Sequence, residues 1–210
     1  MSGHFLDLSC VAPKADKKIP PVFPANTHIC HFYRTKEDLL DLLVPFFREG
    51  LARHEFCLWG VTFPLSVEEA KASLEKVVKD IDSYEKTNQL EIFDIGALYG
   101  ADDFDAIAVR DGFLNKVKIS LSKGWKGFRC DGITSGVKPN DWKNLQIYEE
   151  EVTRTLPGSV TALCSYNVAD LTPHQLMNVA NTHPATIMKE SKGWYIIDIS
   201  ETTFDKRKAA

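Results

Sequence analysis

Apolar residues recur along this chain in two alternating rhythms. Short, continuous apolar runs at residues 28–33, 55–62, 90–95, 126–131 and 160–166 have the length and composition of buried strands. The segments between them follow the 3.6-residue period of amphipathic helices. Over residues 36–53, Leu39, Leu42, Leu43, Phe46, Phe47 and Leu51 draw one wide stripe. Thr35 can cap that helix, and Pro45 should kink it or mark a break. Over residues 66–88, Ser66 and Glu69 form a capping box, and Val67, Ala70, Leu74, Val77, Ile81 and Tyr84 keep helical spacing. A third helix is expected over 104–122, weakened by Gly112. A fourth over 141–156 carries Trp142, Leu145, Tyr148 and Val152 on one face. A fifth opens with Pro173 at its first position and ends near Asn181. Two further strands are expected at 185–189 and 194–199.

Strands alternating with helices of this length imply an α/β fold, a mostly parallel central sheet flanked by helices on both faces. Residues 1–27 hold Pro13, Pro20, Pro21 and Pro24 and read as an irregular N-terminal arm. Residues 28–200 form a single domain, and 201–210 a polar tail. The chain has 210 residues, which suits one such domain. Its net charge of −4, with both signs spread along the sequence, gives no electrostatic case for nucleic acid or an anionic membrane. No stretch reaches the roughly 18 apolar residues of a membrane span, and no secretory leader is visible at the N-terminus. Five widely spaced cysteines make no disulfide framework, so the expectation is a cytoplasmic protein with reduced thiols.

The candidate chemistry begins with an absence. Between the strand at 55–62 and the following helix, a nucleotide-binding protein would carry a glycine-rich loop ending in Lys-Ser/Thr. Here stand Phe63, Pro64, Leu65 and Ser66. Ligands of open α/β sheets bind beyond the carboxyl ends of the strands. Those ends offer Trp59 and Phe63, then Asp94 and Tyr99, then Arg129 and Asp131, then Cys164 and Tyr166. That set suits a largely apolar pocket with a few polar anchors. Cys164 and Tyr166, two apart, share one side of the sheet, as pocket wall or as packed core. Arg129 either clamps a ligand anion or is locked to Asp131 or Glu149 as an ion pair. His28 and Cys30 share a face, with His31 opposite. With Cys164 and His183 they make an alternative metal set, His28, Cys30, Cys164 and His183, provided the fold brings them together. A Cys164–His183 nucleophile pair is a further alternative, without a recognisable orienting residue. His183 precedes Pro184 and should stop a helix.

Several separated pieces resemble the MEDS domain, the sensory domain named for methanogens, methylotrophs and the dichloromethane-responsive repressor. They are His28 and Tyr33 in THICHFYRT, Gly50-Leu51 ahead of EFCLWGVT, GFRCDG around Arg129, Tyr148-Glu149, Leu163 to Tyr166, and Thr182-His183-Pro184. The resemblance spans residues 28 to 190. It implies a RecA/KaiC-like three-layer fold without a phosphate-binding loop, and sensing of small hydrocarbon or one-carbon derivatives. It also implies that His28, Tyr33, Arg129, Cys164, Tyr166 and His183 occupy characteristic positions. Trp59 and Phe63 join them as expected ligand-binding residues from the strand ends.

The expectation is therefore a non-enzymatic, stand-alone sensory domain for a small, mostly apolar molecule, with no cofactor. Such domains are commonly fused to helix-turn-helix or kinase modules, for which this sequence has no room. Its signal would leave through a separate output protein, a transcription regulator or kinase, or through self-association as a homodimer. The alternatives are a nucleotide hydrolase or Cys/His-dependent enzyme on the same fold, and a ligand-free adaptor whose pocket has filled with side chains.

Overall fold

The computed structural model describes residues 14–16, 23, 25, 27–96, 98, 104–135, 137–191 and 193–198. Its elements are β1 (Lys14–Asp16), β2 (Thr27–Tyr33), α1 (Lys36–Ala52), β3 (Phe56–Val61), α2 (Val67–Glu75), α3 (Ile81–Lys86), β4 (Leu90–Asp94) and α4 (Ala106–Ser122). They continue with β5 (Phe128–Thr134), α5 (Trp142–Thr155), β6 (Val160–Asn167), α6 (Pro173–Thr182), β7 (Ala185–Glu190) and β8 (Gly193–Asp198). One sheet runs in the order β1-β8-β7-β2-β6-β5-β3-β4. From β7 to β4 it is parallel; β8 and β1 add antiparallel edges. Within the N-terminal arm, the described segment Lys14–Asp16 is thus a short edge strand. Tyr99 and Ile199 lie outside the described residues.

Alternation along the strands separates two apolar layers. On one face, Tyr33, Trp59, Ile133 and Leu163 pack with Leu39, Leu43 and Phe47 of α1 and with Ala70 and Leu74 of α2. On the other, Cys30, Phe32 and Tyr166 meet Leu145 of α5 and Val179 of α6, while Leu58, Cys130 and Ala162 meet Val117 of α4. These layers are the three-layer α/β architecture that the alternating rhythms imply.

The structure departs from the expected elements in three places. The helix expected over 66–88 breaks after Glu75, and α3 starts at Ile81, with Asp80 in the left-handed region at φ 57°. An unbroken helix of that length would run to about 34 Å. The six- and five-residue strands it covers span only about 20 Å. The chain therefore folds back to place β4 beside β3, leaving Val77 exposed. Helix α1 continues through Pro45, because the carbonyl that its missing N–H forgoes belongs to exposed Asp41, open to water. Strand β5 runs on to Thr134, since Gly132 pairs in register with Gly60 of β3 and Cys164 of β6 instead of turning the chain.

That extension moves Arg129 from the end of its strand to near its start. The guanidinium is fully buried against α1. Its Nε donates to Glu55 Oε2 at 2.6 Å, Nη1 donates to the Phe46 carbonyl at 3.2 Å, and the group lies 4.6 Å from the Phe46 ring centre. Its ion-pair partner is Glu55, neither Asp131 nor Glu149. Gly50 makes this possible, because a Cβ there would sit 2.7 Å from both Arg129 Cδ and Cys57 Sγ.

Two substitutions follow for urea denaturation. Gly50→Ala should cost about 1–3 kcal/mol by overpacking. Arg129→Met should cost about 3 kcal/mol, by leaving Glu55 and the Phe46 carbonyl without their partner. Unchanged unfolding midpoints in both would show that this contact does not hold α1 to the sheet.

Candidate functional site

Three buried elements of the second face converge on one carboxylate. The stripe of α5 reads Leu145, Glu149, Val152, so helical geometry carries Glu149 into the core beneath β2 and β6. Tyr166 Oη donates to Glu149 Oε1 at 2.6 Å. Around the other oxygen, Oε2, lie His28 Nε2 at 3.2 Å, Cys164 Sγ at 3.4 Å and His183 Nε2 at 3.6 Å. His28 Nε2 is also 3.1 Å from Cys164 Sγ, and the two imidazole centres are 4.2 Å apart.

The outer nitrogens fix the tautomers. Thr153 Oγ1 donates its proton to the Thr182 carbonyl at 3.1 Å, so at 2.7 Å from His28 Nδ1 it accepts from that nitrogen. His183 Nδ1 donates to the Val179 carbonyl at 2.8 Å, because α6 stops at Thr182 with His183 extended ahead of Pro184 and leaves that carbonyl without a helical partner. In their neutral forms both rings then aim bare Nε2 lone pairs at the same point. Burial, followed by the neighbouring His183, pushes the His28 imidazole down toward its neutral form. Burial and then the Glu149 charge push the Cys164 thiol well up.

Beside this cluster the sheet and α4 part to leave a cavity of about 580 Å³. Leu58, Cys130 and Ala162 form its floor, and Val109, Phe113 and Tyr148 its helical wall, while His28 and Cys164 close one side. Lys116 and Glu91, paired at 2.5 Å, stand at its margin. The cavity lies against the face of the sheet, not beyond the carboxyl ends of the strands.

Of the eight residues the sequence singles out, the structure brings together His28, Cys164, Tyr166 and His183. Tyr33, Trp59 and Arg129 lie on the opposite face under α1, with Trp59 stacked on Phe47 at 4.7 Å. Phe63 is 80% exposed. In the alternative metal set Cys30 is replaced by Glu149. A carboxylate inside the apolar stripe of α5 was the available signal for Glu149, read instead as a partner for Arg129. Neither the β3–α2 junction nor Arg34-Thr35-Lys36, which follows central strand β2, holds a glycine that could cradle phosphate.

A second buried polar chain crosses the first face. Ser165 Oγ donates to Asp131 Oδ1 at 2.6 Å and accepts from His31 Nδ1 at 3.1 Å. Burial pushes His31 down to about 3 and Asp131 up to about 8. Between about pH 4 and 8 the unfolded chain has therefore released the Asp131 proton while the folded chain keeps it. The Asp131 contribution to stability must fall as pH rises through that window, by about 1.4 kcal/mol per pH unit, and level off above it, while His31, neutral in the fold, offsets that slope up to about pH 6.5. Asp131→Asn should remove that component. Urea titrations at pH 5 and pH 8 should show the variant gaining on the parent at the higher pH; a constant difference would contradict the assignment.

Comparison with known proteins follows the same lines. A family model described as MEDS, the methanogen/methylotroph, DcmR sensory domain, matches residues 27–184. No curated protein matches the chain in sequence. An uncharacterised protein from Pyrococcus horikoshii, solved in complex with an unknown peptide, is 11% identical; the match covers 84% of this chain and 85% of that one, with a TM-score of 0.60. A KaiC-like protein from the same organism is 14% identical over 84% and 79% of the two chains, with a TM-score of 0.55. The fold is thus RecA/KaiC-like.

Proposed function

Because the chain belongs to the MEDS family of sensory domains, we propose that it senses a small, mostly apolar organic molecule in the cavity beneath α4. Membership of a sensory-domain family supports sensing rather than catalysis as the role of the chain. The observation that carries the proposal is the cavity itself. Its volume lies within the roughly 300–1,000 Å³ typical of small-molecule sites, and its walls are mainly aliphatic and aromatic. Burying a hydrocarbon there yields about 25 cal/mol for each Å² of apolar surface removed from water. An adaptor whose pocket had filled with side chains would lack this space.

His28 and Cys164 give the apolar chamber one polar wall, where a single donor or halogen atom of the ligand can be oriented. Tyr166, Glu149 and His183 hold that wall in place. The occupant bears on α4 and α5, and their displacement is the signal read by a separate output protein or by a second copy of the chain. No described helix is long and apolar enough to cross a membrane.

The test is thermal shift and ligand-observed NMR with a panel from dichloromethane through toluene to 1-naphthol. Gly112 lines the cavity, and a Cβ there would meet nothing within 4 Å. Gly112→Leu should therefore fold at least as well as the parent, since leucine favours a helix over glycine by about 1 kcal/mol. It should weaken binding at least tenfold, and Ala162→Leu should do the same from the floor. Absence of binding across the panel, or binding unchanged by both variants, would overturn the proposal.

A further inference from the structure

Four donor atoms of the kinds that bind zinc meet at one buried point, and we propose that His28, Glu149, Cys164 and His183 form a transition-metal site suited to Zn2+. All four ligand atoms lie within 4.8 Å of one another. A tetrahedral zinc ion, with bonds of about 2.0–2.1 Å to nitrogen, about 2.3 Å to sulfur and about 2.0–2.2 Å to oxygen, holds its ligand atoms roughly 3.3–3.6 Å apart. The separations here are 3.2 Å for His28 Nε2 to Glu149 Oε2, 3.1 Å for His28 Nε2 to Cys164 Sγ, 3.4 Å for Cys164 Sγ to Glu149 Oε2 and 3.6 Å for His183 Nε2 to Glu149 Oε2. Four of the six donor pairs therefore already stand at nearly the spacing such an ion imposes, and the other two, His183 to His28 and to Cys164, lie within 4.8 Å.

Hydrogen bonding alone does not account for the arrangement. With both Nδ1 protons directed outward, the thiol of Cys164 is the one proton source among four electron-rich atoms. His183 Nε2 has no hydrogen-bond partner among the described residues, although its ring is fully buried. An unpaired polar atom at such a place needs an occupant. The outer contacts are those that orient metal ligands: Thr153 on His28, the Val179 carbonyl on His183 and Tyr166 on the far oxygen of Glu149.

Charge closes as well. On binding, the Cys164 S–H bond breaks, its proton leaves to solvent, and the thiolate and the Glu149 carboxylate balance the two charges of the ion. Two neutral imidazoles complete the set. The ion would tie β2, α5, β6 and α6 together, with His28 and Cys164 presenting it to the side of the cavity.

Cobalt provides the test on the full chain after treatment with chelator. One Co2+ per chain should give the visible bands of a tetrahedral ion and a near-ultraviolet thiolate-to-cobalt charge-transfer band, both erased by one equivalent of Zn2+. Cys164→Ser should lose the charge-transfer band, and Cys30→Ser should keep it. X-ray absorption of the zinc-loaded parent needs no variant. It should show one sulfur and three lighter neighbours. A folded parent that takes up no cobalt, a charge-transfer band that survives Cys164→Ser, or a zinc shell without sulfur would each overturn the site. None of these readouts involves an organic ligand, so failure here is distinguishable from failure of the sensing proposal.

Discussion

A carboxylate on the buried stripe of a helix must be compensated, and the compensation of Glu149 organises one whole face of this molecule. The groups around it come from three other elements: His28 at the start of β2, Cys164 and Tyr166 along β6, and His183 at the end of α6. Their polar ends meet below the middle of the sheet, where each would be costly alone. Packing α5 and α6 in one register satisfies Glu149, and another register would leave it stranded. Each of those side chains is in turn held from behind, so the cluster is specified rather than merely compact.

The opposite face solves a similar problem with a different result. Arg129 is as deeply buried as Glu149, but it is pinned to Glu55 and to the end of α1 through a gap that only Gly50 leaves open. This face is closely packed, with Trp59 stacked on Phe47 inside the apolar cluster under α1 and α2. The face bearing Glu149 is open next to its polar cluster, and the chamber under α4 is the outcome. One face of the sheet thus serves the fold, and the other holds the cavity on which the sensing proposal rests.

Much of this was legible in the sequence, and the parts that were not share a cause. Alternating periodicities gave the layers, Thr35 and Ser66 marked helix starts, and the β3–α2 junction carries no glycine-rich phosphate loop. The cluster was half visible, because His28, Cys164, Tyr166 and His183 were recognisable but their centre was not. Glu149 reads as a candidate partner for Arg129, whereas Arg129 is buried on the opposite face and pairs with Glu55. Arg129 was misplaced because Asp131-Gly132 reads locally as a turn, whereas its two neighbouring strands extend β5 through it. The break of the 66–88 helix was likewise set by the short strands beneath it. Local periodicity does not record which strand will lie alongside, and that pairing decided each of these cases.

Hydrogen exchange with and without toluene tests most directly whether the open face is where this domain receives its signal. Toluene in the cavity should slow exchange only in α4, α5 and the β6 strand they cover, with α1, α2 and the β3–α2 junction unchanged. Protection at the β3–α2 junction or under α1, or none anywhere at saturating toluene, would contradict it.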